Sequence, residues 1–294
     1  MRFSVWPDVG RPWAEVLALT THAEQTGWDG VYVADHFMPN GSEPLDGPMA
    51  ECWTTLAGLA ACVPRLRLGT LVCGNTYRHP AVLAKQAATV DQLSGGRLVL
   101  GLGAGWQENE HAAYGLHFGT VRERMDRFEE ACQVVTSLLH QTRSTFEGAH
   151  YRLTDAPCDP KPVQDHLPLL LGGGGEKRTL RIVARYADEW NVWGTPDLCT
   201  QKAAVLARHC EEADRDPSTI LRSTQALVWI DCDVPAGVGR AAIGGTAEQL
   251  VDTVFAYRDA GIDELIVPDF NLGRSLTERL DRYDRLAEVL HPLR

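Results

Sequence analysis

The stretch LLLGGGGEKRTLRIVARYADEWNVW, Leu169–Trp193, reads as strand, glycine loop, helix and strand. Leu169–Leu171 is a short apolar run. Four glycines follow, then a basic, helix-forming segment over Lys177–Ala187. Glu189–Trp193 is again rich in strand-forming residues. Two short strands joined by a helix run parallel, because a helical crossover returns the chain to the same end of the sheet.

The same alternation extends outward in both directions. Further strands are expected at Arg2–Val5, Gly30–Ala34, Leu66–Val72, Leu98–Leu102, Arg222–Ile230 and Glu264–Pro268. Helices are expected at Trp13–Thr26, Met49–Cys62, Pro80–Ser94, Val121–Leu139, Cys199–Asp214, Ala247–Ala260 and Leu276–Leu290. Eight strands, each followed by a helix, predict an α/β chain folded as a (β/α)8 TIM barrel. A weak repeat agrees. GWDGVYVAD (Gly27–Asp35) and GIDELIVPD (Gly261–Asp269) share one register, and YADEWNVWG (Tyr186–Gly194) is a looser copy. In the first two, a glycine ends a helix, an apolar run follows and an aspartate closes the strand. Thr246 with Gln249 three residues later is a capping-box pattern. The exception is His140–Pro168, long, proline-rich and aperiodic, with a possible hairpin in FEGAHYRL (Phe146–Leu153). It reads as an insertion after strand 4, over the active-site face, within one domain spanning residues 1–294.

Composition narrows the function. A net charge of −11 argues against a nucleic-acid partner. No apolar run approaches the roughly 20 residues of a membrane span. The N-terminus lacks the layout of a signal peptide. Eight cysteines without a C-x-x-C pair fit a reduced, cytoplasmic protein, and ten histidines without a ligand-spaced cluster indicate no metal site.

In parallel barrels chemistry sits at the C-terminal ends of strands. Those ends hold Trp6, Asp35-His36-Phe37, Cys73-Gly74-Asn75-Thr76, Gly103-Ala104-Gly105-Trp106 with Asn109 and Glu110, and Gly172–Gly175. Freed amides at a strand end, next to a helix N-terminus, favour an anion. Gly173, Gly174 and Gly175, flanked by Lys177, Arg178 and Thr179, therefore read as a phosphate cradle. The loop follows strand 5, whereas sugar isomerases on this barrel usually place phosphate after strands 7–8. His36 is the best proton donor or acceptor, with Asp35 beside it. Trp6, Trp53 and Trp106 could wall a pocket for a flat substrate. Cys73 has no basic partner to make it a nucleophile.

VADHF, GTLVCGNTYRHPAVLAKQAATVDQLSGGRLVLGLGAGW, HYRL…PKPVQ, LLLGGGGEKRTLRIVARYADEWNVW and YRDAGIDELIV occur in this order along essentially the whole chain. Together they resemble the bacterial-luciferase-like family, most closely its coenzyme F420-dependent oxidoreductase branch. The resemblance implies a homodimer and a deazaflavin or flavin ring across the barrel mouth. Carried over by position, it puts Asp35 and His36 beside the reactive edge, and Asn75 and Thr76 against the polar edge. It also implies a non-prolyl cis peptide near Leu71–Val72 and lining roles for Gly105 and Asn109. In sugar-phosphate dehydrogenase members a catalytic glutamate directly follows the second glycine of the strand-4 loop. Trp106 stands there in this chain, with Glu108 and Glu110 nearby but off that position, so sugar-phosphate oxidation does not carry over. The expectation is hydride transfer between F420 and a small organic substrate. The alternatives are an FMN-dependent monooxygenase using oxygen and a non-catalytic deazaflavin- or flavin-binding protein.

Overall fold

The computed structural model describes residues 1–40, 46–239 and 241–294. Eight parallel strands alternate with helices: Arg2–Trp6, Gly30–Val33, Arg67–Thr70, Leu98–Gly103, Leu169–Gly172, Glu189–Trp193, Leu221–Gln225 and Glu264–Pro268. This is the α/β architecture of a (β/α)8 barrel. The strands are almost wholly buried, so they read as continuous apolar runs rather than alternating ones. No helix among the described residues is long and apolar enough to cross a membrane.

The chain divides into two compact units. The first comprises Met1–Tyr32, Arg65–Arg67 and Gly173–Arg294. In it the first strand pairs with the eighth, Arg2 opposite Glu264 through Trp6 opposite Pro268, and also with the second. The seventh strand pairs with both the sixth and the eighth. Buried charges meet at the strand starts. Arg67 donates to Glu189, to Tyr32 Oη at 3.0 Å and to Glu264 at 3.3 Å, and Ser4 Oγ donates to Glu264 at 2.5 Å. The helix Ala247–Asp259 has the expected capping box, Thr246 with Gln249.

Two expectations change in this unit. Arg222–Ile230 is not one strand. Leu221–Gln225 stays in the barrel, while Leu227–Ile230 pairs with an unforeseen strand, Ala242–Gly245, as a separate parallel ribbon. The β-branched run carried no sign of the break at Ala226.

The second unit comprises Val33–Pro64 and Leu68–Gly172. Here the fourth strand pairs with the third, Leu68 opposite Leu98, and with the fifth, Leu100 opposite Leu169. The third strand ends early. After Thr70 comes a cis peptide between Leu71 and Val72, where the resemblance places one, and Cys73–Gly74 then rejoins the fourth strand. The irregularity is built into the neighbouring glycines. A Cβ on Gly103 or Gly172 would lie 2.8 or 2.9 Å from Val72 Cγ2, so the missing side chains make room for this valine. At Gly101 a Cβ would overlap the Thr70 carbonyl oxygen. The Thr70 hydroxyl in turn accepts from Gly101 N at 2.9 Å and donates to its carbonyl at 2.8 Å.

The second helix begins at Cys52 rather than Met49, capped by Glu51, whose carboxylate accepts from Thr54 N at 2.7 Å. A short helix not foreseen in the sequence, Glu108–Tyr114, precedes Val121–His140. The hairpin forms, from Ser144–Glu147 and Arg152–Ala156.

Replacing Gly101 by alanine forces the third and fourth strands apart where the backbone is packed most tightly. The expected cost is about 1–3 kcal/mol or more, read as a lower urea midpoint with an unchanged slope.

Candidate active site

The second unit gathers most of the candidate side chains. Two buried polar clusters organise them, each built around a carboxylate that burial would otherwise penalise.

The first centres on Asp35 at the end of the second strand. Arg78 grips it with both guanidinium nitrogens, at 2.6 and 3.0 Å, and Gly74 N donates at 3.2 Å. Arg78 reaches Glu51 at 3.4 Å as well. Burial works against the Arg78 charge, but the bond to Asp35 and its negative field prevail and push its pKa above the ordinary range. Both Asp35 oxygens are thus committed to fixing the loop after the third strand.

The second centres on Glu110, which has no exposed surface. Its Oε1 accepts from Phe37 N and, at 3.1 Å, from Met38 N. Its Oε2 accepts from the Tyr77 hydroxyl and contacts His36 Nδ1 at 2.9 Å. Burial raises the Glu110 pKa, but the bonds from His36, Tyr77 and Phe37 N outweigh it and leave it lowered. Tyr77 is pushed upward, first by burial and then by its bond to Glu110, and stays a phenol. An ionised carboxylate only accepts, so Nδ1 of His36 carries a hydrogen. No bond to His36 Nε2 is seen among the described residues. Trp106 meets the imidazole edge-on, centroids 5.5 Å apart, and is itself 57% exposed.

A third chain of bonds runs through Thr76. His111 Nδ1 faces the Gln107 carbonyl at 2.7 Å, which can only accept. In the neutral ring Nε2 then accepts from the Thr76 hydroxyl at 2.6 Å. That orients Thr76 with its oxygen lone pairs free. Gly105, at φ +82°, lies so close that a Cβ would sit 2.5 Å from Thr76 Oγ. Asn109, in the first turn of the short helix, accepts from Glu110 N at 2.9 Å. Asn75 is buried. Its amide nitrogen donates to Tyr151 Oη at 3.2 Å, while its Oδ1 has no partner among the described residues. A buried acceptor left unpaired is costly and calls for a donor from outside the chain. Trp53 is buried on the second helix, with its indole nitrogen equally unpartnered. Leu71 is buried and Val72 half-buried at the cis bond.

The first unit holds the glycine run and Trp6. Gly173 has φ +124°, a conformation side-chain-bearing residues rarely adopt. Its N–H donates to Asn191 O at 2.9 Å, and Trp190 Nε1 donates to its carbonyl at 2.9 Å. A Cβ on Gly175 would fall 2.7 Å from Thr179 Oγ1. Gly173 and Gly175 are exposed, as is Lys177, while Arg178 and Thr179 are half-covered at the start of helix Thr179–Tyr186. An open backbone cradle at a helix N-terminus with cationic flanks fits a phosphate. A cation that sequence reasoning missed also stands here. Lys202, on helix Pro196–Glu212, pairs with Glu176 at 2.7 Å and would lie 3.6 Å from a Cβ on Gly174. Trp6 is buried against Trp193 and Phe270, at 5.7 and 5.1 Å between centroids.

Residues 1–236 match the luciferase-like monooxygenase family. The chain belongs to that family. A F420-dependent glucose-6-phosphate dehydrogenase of Intrasporangium calvum is 37% identical over 176 residues, covering 59% of this chain and 50% of that protein. A F420-dependent hydroxymycolic acid dehydrogenase of Mycobacterium tuberculosis is 32% identical over 227 residues, covering 75% and 60%. The chain thus spans about half the length of the curated relatives it matches. Among solved structures, a F420-dependent secondary alcohol dehydrogenase in complex with an F420-acetone adduct superposes with a TM-score of 0.84. It is 20% identical and covers 99% of each chain, which establishes the shared fold.

Because its folded pKa is depressed, Glu110 contributes stability above the ordinary glutamate range, near ~4.3. That contribution is lost as pH falls through the lower folded value. Acid unfolding of Glu110→Gln should therefore show a shallower fall of stability below about pH 4.3 than wild type. Equal slopes in parallel urea titrations would mean that folding does not lower the Glu110 pKa.

Proposed function

We propose that this chain is a coenzyme F420-dependent oxidoreductase that moves a hydride between the deazaflavin and a small organic substrate. The observation that carries the reading is the buried, unpaired Asn75 Oδ1. It lies in the same unit as a carboxylate-held imidazole, in a chain whose curated relatives include F420-dependent dehydrogenases. The site residues suit such a cofactor. Asn75 and Thr76 would offer acceptor oxygens to a ring N–H, Leu71 and Val72 would give it an apolar backing, and Gly105 and Asn109 would line it. In the first unit, Gly174 and Gly175 with Lys177, Arg178, Thr179 and Lys202 would suit a phosphate group, and Gly173, whose N–H is spent on Asn191 O, would shape the turn that presents them.

When bound, F420 supplies hydride chemistry. The chain supplies the rest. His36 takes or gives the substrate proton at Nε2, Asp35 keeps the adjoining loop in place through Arg78, and Trp106 shapes the substrate's approach. In the second unit Trp53 would add an apolar wall, and in the first unit Trp6 with Trp193 and Phe270 would offer another. Trp106 replaces the acid expected for sugar-phosphate oxidation, which favours an alcohol, carbonyl or imine substrate. We propose further that residues 1–294 act as one luciferase-like domain. The contact of Tyr151 with Asn75 supports residues 140–168 lying over the active-site face. Cytoplasmic location fits the eight free cysteines, and a homodimer follows the family resemblance.

Titration with F420 and with FMN, followed by absorbance and fluorescence, tests the cofactor. F420 should bind the more tightly, and tight FMN binding with none for F420 would transfer the chain to the oxygen-using monooxygenases. With an accepted substrate, His36→Ala should lower kcat by roughly 10²–10⁴ and leave the F420 Kd nearly unchanged. Gly174→Glu should do the reverse, weakening cofactor binding in a barrel that still folds.

A further inference from the structure

We propose that Glu110 is a positioning residue that locks His36 into the Nδ1–H tautomer and so makes Nε2 its only proton-exchanging atom. The consequence for turnover rests on the oxidoreductase reading above. The tautomer does not.

The hydrogen-bond inventory of the carboxylate carries the inference. Oε1 is claimed by two backbone amides, Phe37 N and Met38 N, which can only donate. Those amides belong to the residues directly after His36, so the carboxylate orients the backbone and the ring of one short segment together. Oε2 is claimed by the Tyr77 hydroxyl and His36 Nδ1. Tyr77 is stacked on His111 at 4.9 Å and tilted against Phe37 at 4.9 Å, so the phenol cannot easily turn away. With three other donors already fixed on it, Glu110 has one arrangement open to His36. The imidazole must donate from Nδ1, which leaves the Nε2 lone pair for an external proton. His36 is mostly covered, and Trp106 lies against its edge, which limits rotation of the ring. A carboxylate that holds a catalytic imidazole in this manner acts by orientation and by stabilising the charged ring, without taking the proton itself.

The amide of Glu110→Gln tests the logic directly. Its oxygen must stay on Phe37 N and Met38 N, which places its NH2 against His36 Nδ1. The ring is then forced to accept at Nδ1 and to carry its hydrogen on Nε2. The experiment is a two-bond ¹H–¹⁵N spectrum of cofactor-free protein above the imidazole's titration. Wild type should show the Nδ1–H form at His36, and the Gln variant the Nε2–H form. With F420 and an accepted substrate, the variant should lose roughly 10²–10⁴ in kcat, with F420 affinity and KM little moved.

A wild-type spectrum showing the Nε2–H form overturns the inference, and it does so even if the Gln variant fails to fold. An inverted tautomer with unchanged kcat overturns it as well. Failure of F420 to bind, with the Nδ1–H tautomer intact, overturns the oxidoreductase reading and leaves the positioning role standing.

Discussion

A carboxylate removed from water must be met by donors, and Glu110 is met by four. Taking an ion into a protein interior costs several kcal/mol unless hydrogen bonds replace its hydration. That constraint joins three pieces of chain: the segment after the second strand, the loop after the third, and the short helix after the fourth. Each contributes what another lacks. The backbone of Phe37 and Met38 has free amides because the strand has ended. Tyr77 brings a hydroxyl from a loop, and the helix aims the carboxylate. The imidazole of His36 is held as a by-product of satisfying that charge.

The loop carrying Asn75 through Arg78 depends on a second constraint, steric rather than electrostatic. Val72 needs the space that Gly103 and Gly172 leave, and Gly101 must lack a side chain for the Thr70 carbonyl to pass. The strand therefore leaves its line after Thr70 and re-enters it at Cys73. Arg78 then closes on Asp35, and its two-pronged grip fixes the loop's angle as well as its position.

In the first unit, charge is concentrated at strand starts, where Arg67, Glu189, Glu264 and Tyr32 satisfy one another. At strand ends in the second unit, by contrast, polar atoms are left over, chiefly Asn75 Oδ1, and one imidazole nitrogen has no partner among the described residues. A fully paired cluster stabilises. An incompletely paired one is where a ligand finds its complement.

The barrel was legible from Leu169–Trp193 and its repeats, because alternating strand and helix periods are local properties of the chain. So were the strand ends that carry Asp35, His36, Asn75 and the glycine run, and the capping box at Thr246. Local pattern could not show that Arg222–Ile230 breaks in two, since nothing in the run distinguishes a barrel strand from a ribbon strand. Nor could it pick Glu110 over Glu108, pair Asp35 with Arg78, or bring Lys202 beside Gly174. Those partners come from separate elements, and only packing brings them within hydrogen-bonding reach. Residue type and strand position determined which groups could do chemistry. The tertiary structure decided which of them are spent on holding the site together and which are left free to act.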